Sequence, residues 1–284
     1  MIACMKIIST RAEMEARVSD LKKTGKLIGF VPTMGFLHQG HLSLVEKSCA
    51  ENDVTVVSIF VNPTQFAPHE DFESYPRDFE RDCRMLEGKA DIIFHPSVSE
   101  IYGSEEDFPV KLEDITACLC GLSRPGHFPG VLQVVARLFK IMKPDNAYFG
   151  QKDYQQTVVI KRLIKDLFAG VKIHVCETVR EADGLAMSSR NSYLNDSERR
   201  QATCLNKALS AAVAAMEKGE RSKSVLLQRI QKIIIQQDKA KIDYVDIRDA
   251  ENLEEVDIIK KPVVVAAAVN FGKTRLIDNV IFKP

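Results

Sequence analysis

Two histidines separated by two residues stand in a glycine-containing stretch of the sequence, TMGFLHQGHLSL, residues 33–44. Gly35 and Gly40 have the spacing of a GxxxxGK[ST] phosphate-binding loop, but His41 stands where such a loop has its lysine. A histidine can hydrogen-bond to a phosphate oxygen, and it can also donate a proton as charge develops on a leaving group. The stretch therefore predicts a nucleotide site in which His38 and His41 both bind and react.

Other interpretations of such a motif stay open at this point. A tight turn between a strand and a helix can carry two surface histidines without binding any ligand. A metal site is disfavoured, because the stretch lacks the acidic partner of an HExxH motif. The segment FGKT, residues 271–274, resembles the end of a phosphate loop, but position 267 is alanine and the segment lies between two predicted strands, so we discard it.

A second polar cluster occurs in YFGQKDYQQ, residues 148–156. Lys152, Asp153 and Gln156 fall within one turn of a predicted helix, so they can converge on one ligand. Lysine suits a phosphate, aspartate suits ribose hydroxyls or the shell of a magnesium ion, and glutamine suits a small polar group. A charged first helical turn is equally well explained as capping, which leaves both interpretations open.

Three weaker motifs contain further polar side chains. AMSSRN, residues 186–191, places two hydroxyls beside Arg190, whose guanidinium can bind an anion with two hydrogen bonds. FVNPTQF, residues 60–66, puts Gln65 just past a strand end, and RPGHFPG, residues 124–130, is a rigid loop. Taken alone, each is more often scaffold than site.

The elements that must position these residues follow an alternating pattern up to about Val179. Short runs rich in β-branched residues alternate with longer helical periodicities, which predicts a doubly wound parallel sheet of the Rossmann type. In such sheets, ligands bind at the carboxyl ends of the strands. The predicted strands are 27–31, 54–61, 90–95, 147–150 and 171–179, and the predicted helices are 41–52, 76–89, 131–142 and 153–168.

The pattern changes after Asn191. Two helical segments, 196–217 and 222–238, follow one another before three strand-like runs, IDYVDI, VVVAAAV and TRLIDNVIF. This order predicts a smaller α+β domain. The polar segment 181–191 shows no clear period, so we place the domains at 1–180 and 181–284.

Composition limits the partners and the location of the chain. Its 284 residues contain 39 lysines and arginines against 39 aspartates and glutamates, so no overall field attracts nucleic acid or an anionic membrane. The longest apolar runs are far shorter than a bilayer span, and the start MIACMKIIST lacks a signal-peptide pattern. The seven cysteines include no CxxC pair, which indicates reduced thiols. We therefore expect a soluble, cytoplasmic protein with no nucleic-acid or membrane partner.

Seven segments read in order resemble the pantothenate synthetases, the pantoate–β-alanine ligases. They are PTMGFLHQGHLSLV, VSIFVNPTQF with EDFESYPRD, ADIIFHPSVSEIY, RPGHFPGV, KPDNAYFGQKDYQQ, VREADGLAMSSRNSYL and RLIDN. Together they extend over essentially the whole chain. Each is only moderately specific, but their common order makes the resemblance strong.

The resemblance implies a Rossmann-like domain of the HxGH nucleotidyltransferase type, a smaller α+β C-terminal domain that acts as a lid, and a homodimer. It also implies a reaction in which pantoate and ATP form an enzyme-bound pantoyl adenylate and pyrophosphate, after which β-alanine displaces AMP to give pantothenate. ATP would be a substrate, with Mg²⁺ as its companion ion, whose protein ligands the sequence does not identify. An adenylyltransferase that releases its adenylylated product is the alternative, and a nucleotide-binding regulatory module is a further one.

Residue roles carry over from the resemblance to matching positions. His41 is the expected proton donor, with His38 and Lys152 as further catalytic groups, and Gln65 and Gln156 are expected to bind pantoate. The residues expected to bind ATP come from four segments. They are Met34, Gly35, Phe36, Leu37, His38, Gln39, Gly40 and His41, then Gly150, Gln151, Lys152 and Asp153, then Val179, and finally Met187, Ser188, Ser189 and Arg190.

Three positions depart from the usual pattern of the family. Phe36 stands where a small residue is usual, Ala67 where glycine is usual, and Gln133 where threonine is usual. These changes can alter the shape of a pocket, but they remove no reacting group.

Overall fold

The computed structural model describes residues 5–103 and 107–284, and this part of the chain divides into two compact units. The first unit contains the described residues through Leu112, together with Arg124–Gly150 and Val159–Glu177. The second unit contains Glu113–Ser123, Gln151–Val158 and Thr178–Pro284. The predicted domain boundary after residue 180 stays a prediction.

A six-stranded parallel sheet forms the centre of the first unit. Its spatial order is β1-β4-β3-β2-β5-β6, so the chain moves outward from β2 to one side and then returns to build the other side from β5. The strands are β1 Lys6–Ile8, β2 Ile28–Thr33, β3 Val54–Ile59, β4 Ile92–Phe94, β5 Asn146–Gly150 and β6 Lys172–Cys176. The reversal of strand order between β2 and β5 marks the place where open α/β sheets bind their ligands.

Helices follow the strands, as the alternating pattern predicts. They are α1 Arg11–Lys23, α2 Gln39–Glu51, α3 Phe79–Leu86, α4 Val98–Tyr102, α5 Glu113–Thr116, α6 Leu119–Ser123, α7 His127–Met142 and α8 Tyr154–Leu167. Short 3₁₀ turns cover Pro63–Gln65 and Gln151–Asp153. The α/β class and the parallel sheet predicted from the sequence are confirmed.

Several boundaries differ from the predicted ones. Helix α2 begins at Gln39 rather than His41, because the ring of His38 caps it. Helix α8 begins at Tyr154, since the preceding 3₁₀ turn includes Asp153. The predicted pattern does not include the residues before Lys26, which form β1 and α1. The segment 196–217 forms two helices, and α3 is shorter than its predicted range.

An antiparallel three-stranded sheet and three helices make up most of the second unit. The helices are α9 Asp196–Ala202, α10 Cys204–Glu217 and α11 Lys223–Ile234. The strands are β7 Ala240–Asp249, β8 Val263–Phe271 and β9 Thr274–Phe282, in the order β7-β8-β9. This arrangement confirms the smaller α+β region predicted for the C-terminal part of the chain.

Each unit contains a hydrophobic cluster of its own. One cluster in the first unit joins strands β2, β3 and β4 to helix α2, and Leu37 from the predicted nucleotide stretch is fully buried within it. The cluster of the second unit joins α10 and α11 to β8, whose residues from Val263 to Val269 are almost completely buried. The apolar run VVVAAAV is therefore a central strand, packed on both faces.

Candidate active site

The segment between β2 and α2 presents both histidines at the start of a helix. His38 is the N-cap residue, and its Nδ1 accepts the backbone N–H of Gly40 at 3.1 Å. His41 is the third residue of the helix, and its Nδ1 accepts the backbone N–H of His38 at 3.2 Å. An imidazole that accepts at Nδ1 carries its proton on Nε2 when neutral. Both rings can therefore donate from Nε2, in a place where the helix dipole also favours an anion.

The side chain of Asp82, on α3, holds the backbone of this loop in place. One carboxylate oxygen accepts the N–H of Phe36 and the other accepts the N–H of Leu37, each at 2.7 Å. Thr33 adds a third support, because its hydroxyl accepts the N–H of Gly35 and donates to the carbonyl of Ser58. The loop needs this support at Phe36, whose φ of 49° is unfavourable for a residue with a side chain. Gly35 has φ of 80°, which glycine adopts without strain.

The environment of Asp82 disfavours the ionised form of its carboxyl group. The side chain is 1% exposed, and this burial raises the pKa of the carboxyl group, although the hydrogen bonds from Leu37 and Phe36 partly offset the shift. Arg81 lies with its guanidinium 3.6 Å from the same carboxylate and 5.0 Å from the centre of the Phe36 ring.

Gln65 reaches the loop between β2 and α2 within the first unit. Its Nε2 lies 3.0 Å from the sulfur of Met34, and its side chain is 8% exposed. The amide orientation is set by Asn62, whose Nδ2 donates to Gln65 Oε1 at 3.2 Å. Tyr102 donates in turn to Asn62 Oδ1 at 2.7 Å, and burial raises the pKa of this tyrosine, which keeps it a donor.

The RPGHFPG segment supports the turn that carries Gln65. His127 Nδ1 lies 2.9 Å from the Gln65 carbonyl oxygen, where the protonated nitrogen donates. Arg124 binds both carboxylate oxygens of Glu70 at 2.5 and 2.6 Å. Burial opposes the ionisation of Glu70, but the hydrogen bonds and charge of Arg124 outweigh it and hold the pKa of that carboxyl below its ordinary value. The segment therefore holds the backbone of Gln65 in place.

The residues predicted around Lys152 lie in the second unit. Lys152 is part of the 3₁₀ turn Gln151–Asp153, which directly follows the last residue of β5 in the chain. Asn279 of β9 donates its Nδ2 to the carbonyl oxygens of Gln151 at 3.0 Å and Lys152 at 2.9 Å. Gln156 lies four residues after Lys152 on α8, and its side chain is half-buried.

The segment from Val179 to Arg190 forms a hairpin followed by a 3₁₀ turn in the second unit. The N–H of Met187 donates to the carbonyl of Val179 at 3.0 Å, so the backbones of these two residues, both predicted to bind ATP, lie side by side. The hydroxyl of Ser188 caps the turn Ser189–Tyr193 by accepting the N–H of Arg190. The hairpin is anchored by Arg180, which binds both carboxylate oxygens of the buried Asp278 at 2.7 and 3.0 Å.

The predicted residues are divided between the two units. Met34–His41, Gln65 and Gly150 belong to the first unit, where Gln65 contacts Met34. Gln151–Asp153, Gln156, Val179 and Met187–Arg190 belong to the second, where Met187 bonds to Val179. Sequence reasoning missed Asp82, Asn62 and Asn279. Two of them lie in quoted motifs, FVNPTQF and RLIDN, and an asparagine directly before a proline is a common capping signal. Nothing in the pattern around Asp82 distinguishes it from other acids on that helix.

The three departures from the family pattern each have a definable environment. Phe36 adopts the left-handed conformation and lies beneath Arg81. The N–H of Ala67 donates to Glu70 Oε2 at 3.2 Å, and the same carboxylate is bound by Arg124. Gln133 donates to Asp107 and Phe108 and accepts from Arg137 at 2.6 Å, so its longer side chain links α7 to the segment beginning at 107.

Comparison with known proteins decides the family. The family model for pantoate-beta-alanine ligase matches residues 6–281. The chain belongs to this family. It is 51% identical to the pantothenate synthetase of Caldicellulosiruptor saccharolyticus and 52% identical to that of Thermotoga petrophila, and each alignment includes 98% of this chain and 99% of the relative.

Solved structures of the family have the same fold. The crystal structure of pantothenate synthetase from Thermus thermophilus aligns with a TM-score of 0.91 at 42% identity, over 99% of this chain and 100% of that one. The pantoate-beta-alanine ligase of Francisella tularensis, complexed with beta-gamma ATP and beta-alanine, aligns with a TM-score of 0.77 at 37% identity, over 98% and 97% of the two chains. The resemblance to this family and the ligase class of the enzyme are confirmed.

Two further features concern metals and membranes. Within residues 5–103 and 107–284, no three histidine, cysteine, aspartate or glutamate side chains are grouped so as to hold a metal ion. No helix in the described part of the chain is long and apolar enough to cross a bilayer. Six cysteines are free thiols, and Cys4 lies outside the described residues, as do the first three residues of the stretch MIACMKIIST.

Proposed function

We propose that this ligase condenses (R)-pantoate with β-alanine in two steps, through a pantoyl adenylate that stays bound. The observation that supports the proposal best is the contact between Gln65 and Met34, 3.0 Å from amide nitrogen to sulfur. An acid can be adenylylated only if its carboxylate lies against the α-phosphate of ATP. A polar side chain suited to pantoate, in contact with the loop suited to ATP, meets that requirement.

In the first step, a pantoate carboxylate oxygen attacks the α-phosphorus of ATP, and the bond from that phosphorus to the bridging oxygen breaks. The carboxylate is already a nucleophile, so no general base is needed. The departing pyrophosphate carries the developing charge, and donors aimed at it lower the barrier. His38 and His41 supply such donors through Nε2, and we assign proton donation to His41.

The remaining residues expected to bind ATP have the following roles in this proposal. Lys152 supplies a fixed positive charge to the phosphates, and Arg190 with the hydroxyls of Ser188 and Ser189 binds them further. Gly150, Gln151 and Asp153 bind the nucleotide, and Val179 contacts the adenine edge. The C-terminal domain 181–284 acts as a lid. Gln156 joins Gln65 in binding pantoate, because two glutamines offer donors and acceptors for its hydroxyls without a charge that competes for the reacting carboxylate.

In the second step, the amine of β-alanine attacks the acyl carbon of the adenylate. A carbon–nitrogen bond forms, the bond from the acyl carbon to the phosphate oxygen breaks, and AMP leaves with that oxygen. The amine loses a proton to solvent water as the amide forms, and the electron pair of the broken carbon–oxygen bond leaves with AMP. Gln65 is the residue we place nearest the incoming amine.

Mg²⁺ is expected to arrive with ATP, because this ion commonly binds phosphates together with few protein carboxylates and several waters. Its role is to neutralise charge on the phosphates of the leaving group. The exposed carboxylate of Asp153, beside Lys152 in the 3₁₀ turn, suits that mode of binding. A homodimer in the cytoplasm completes the proposal.

The reaction is tested by incubating the protein with ATP, Mg²⁺ and pantoate, with and without β-alanine, and analysing products by rapid quench and mass spectrometry. Without β-alanine, pyrophosphate should appear in a burst of about one equivalent per chain, because the adenylate stays bound. AMP and pantothenate should appear only when the amine is added. Release of free pantoyl adenylate would favour the adenylyltransferase alternative, and absence of the burst with full turnover on adding β-alanine would favour a concerted route.

A further inference from the structure

The motif RLIDN, residues 275–279, belongs to β9 of the second unit, and its asparagine is nearly completely buried. Asn279 is 3% exposed and pairs with Ala266 of the central strand β8. Burying an amide is unfavourable unless its hydrogen-bonding groups are satisfied. The partners of this amide therefore indicate what it is for.

All three side-chain hydrogen bonds of Asn279 run to the turn that carries Lys152. Nδ2 donates to the carbonyl oxygens of Gln151 and Lys152, at 3.0 and 2.9 Å. Oδ1 accepts from Gln151 Nε2 at 3.4 Å. A primary amide is suited to this arrangement, because it offers two donors and an acceptor from one rigid plane.

These bonds fix the backbone on both sides of Lys152. The Gln151 carbonyl belongs to the peptide plane that precedes the Lys152 Cα, and the Lys152 carbonyl belongs to the plane that follows it. Because a peptide unit is planar, holding both carbonyls fixes φ and ψ of Lys152. The Cα and Cβ of Lys152 are then held in place. Because this part of the residue is already ordered, less conformational entropy is lost when the side chain binds a ligand.

We propose that Asn279 is a positioning residue for adenylate formation, holding the turn from which Lys152 reaches the phosphates of ATP. This inference rests on the proposed role of Lys152. In this role Asn279 acts through the backbone of the turn, to which its side chain is bonded, and not by binding a substrate. A residue that serves only to stabilise the fold would have no special relation to the lysine, and that difference can be measured.

The test is a double-mutant cycle on pyrophosphate release from ATP and pantoate. Asn279→Ala should lower kcat/KM for ATP at least about tenfold, and Lys152→Ala about a hundredfold. Once Lys152 is alanine, Asn279→Ala should cost less than about threefold more, because the group it positions is gone. Asn270→Ala on the neighbouring strand β8 is the matched control and should stay within about threefold of the parent.

The outcomes separate the inference from the proposed function. Losses that multiply fully in the double variant, or an unimpaired Asn279→Ala beside an impaired Lys152→Ala, would overturn the inference alone. An unimpaired Lys152→Ala would overturn the proposed ATP site and the inference with it. If Asn279→Ala does not fold, Asn279→Asp keeps the shape, and its carboxylate faces two carbonyls, so the same loss and the same coupling to Lys152 are expected. Hydrogen exchange should also quicken at the amides of 151–154 in the Asn279 variants.

Discussion

The carboxylate of Asp82 binds the loop between β2 and α2, the proposed ATP-binding loop, in a way that depends on its charge. As an anion it accepts from two backbone N–H groups at once, one on each oxygen. Its burial raises the pKa, which means that the folded chain binds the proton more tightly than the unfolded chain. Stability contributed by this group therefore falls as the pH rises from the ordinary value of 3.8 toward the raised value. The hydrogen bonds from the loop to Asp82 change in the opposite direction, because both carboxylate oxygens accept fully only when the group is ionised, above its raised pKa.

We predict that Asp82→Asn lowers kcat/KM for ATP by about tenfold or more near pH 8. An asparagine offers one acceptor oxygen, and its NH₂ group would face the N–H of Phe36 or Leu37. The penalty should shrink as the pH falls through the raised pKa, because the parent's own carboxyl then becomes protonated. Steady-state rates across pH measure this.

Asp78→Asn is the matched control for that experiment. Asp78 is an exposed residue that caps the same helix by accepting the N–H of Arg81, and asparagine caps almost equally well. Its kcat/KM near pH 8 should stay within about twofold of that of the parent, although loss of the Asp78 charge removes one small cause of the raised pKa of Asp82. If Asp82→Asn has the same kcat/KM as the parent at every pH, the carboxylate is not what holds the loop.

Among the elements, helix α7 approaches the turn Pro63–Gln65 so closely that only glycine fits at one position. A Cβ on Gly130 would lie 2.3 Å from the carbonyl oxygen of Thr64 and 2.8 Å from the Cα of Gln65. Asn62 also donates to the Gly130 carbonyl, at 3.2 Å. Helix α7 therefore packs directly against the proposed pantoate-binding turn and fixes its position.

Gly130→Ala should displace this turn, because both contacts are with backbone that cannot rotate away. We expect a loss of about 1–3 kcal/mol in the free energy of unfolding. The KM for pantoate should also rise by about tenfold, as expected if a hydrogen bond from Gln65 to the acid is lost, while ATP binding changes less. Denaturant unfolding and separate titrations of the two substrates measure these effects. Gly170→Ala, where a Cβ would meet no atom within 4 Å, is the control and should change neither. An unchanged pantoate KM in Gly130→Ala would mean that the turn does not bind the acid.

The sequence predicts elements better than it predicts the contacts between them. Hydrophobic periodicity locates the strands of the parallel sheet, because buried β-branched runs such as Val54–Ile59 are distinctive. It does not show that His38 caps α2, since histidine is not a usual cap. It also does not identify Asp82 or Asn279, because each acts on backbone groups 45 or more residues away in the chain. Only tertiary structure brings such groups together.

At the scale of the whole molecule, two of the hydrophobic clusters in the described residues raise the question of how far the units fold independently. The cluster around β3 and α2 contains only residues of the first unit, and the cluster around α10, α11 and β8 contains only residues of the second. A cavity formed within one cluster removes packing from that cluster alone. Local unfolding should then follow the two units, in line with the proposed two-domain organisation.

We therefore predict that Ile230→Ala, which truncates a fully buried side chain of α11, lowers protection against hydrogen exchange more in β8 than in β3. The expected loss is about 2–5 kcal/mol for amides of the second unit. Ile93→Ala, an equally buried residue in the cluster of the first unit, is the matched variant and should give the reverse pattern. Peptide-resolved hydrogen exchange under native conditions measures both. Equal losses in β3 and β8 for each variant would mean that the chain unfolds as one cooperative body, and the division into two domains would then describe its architecture but not its stability.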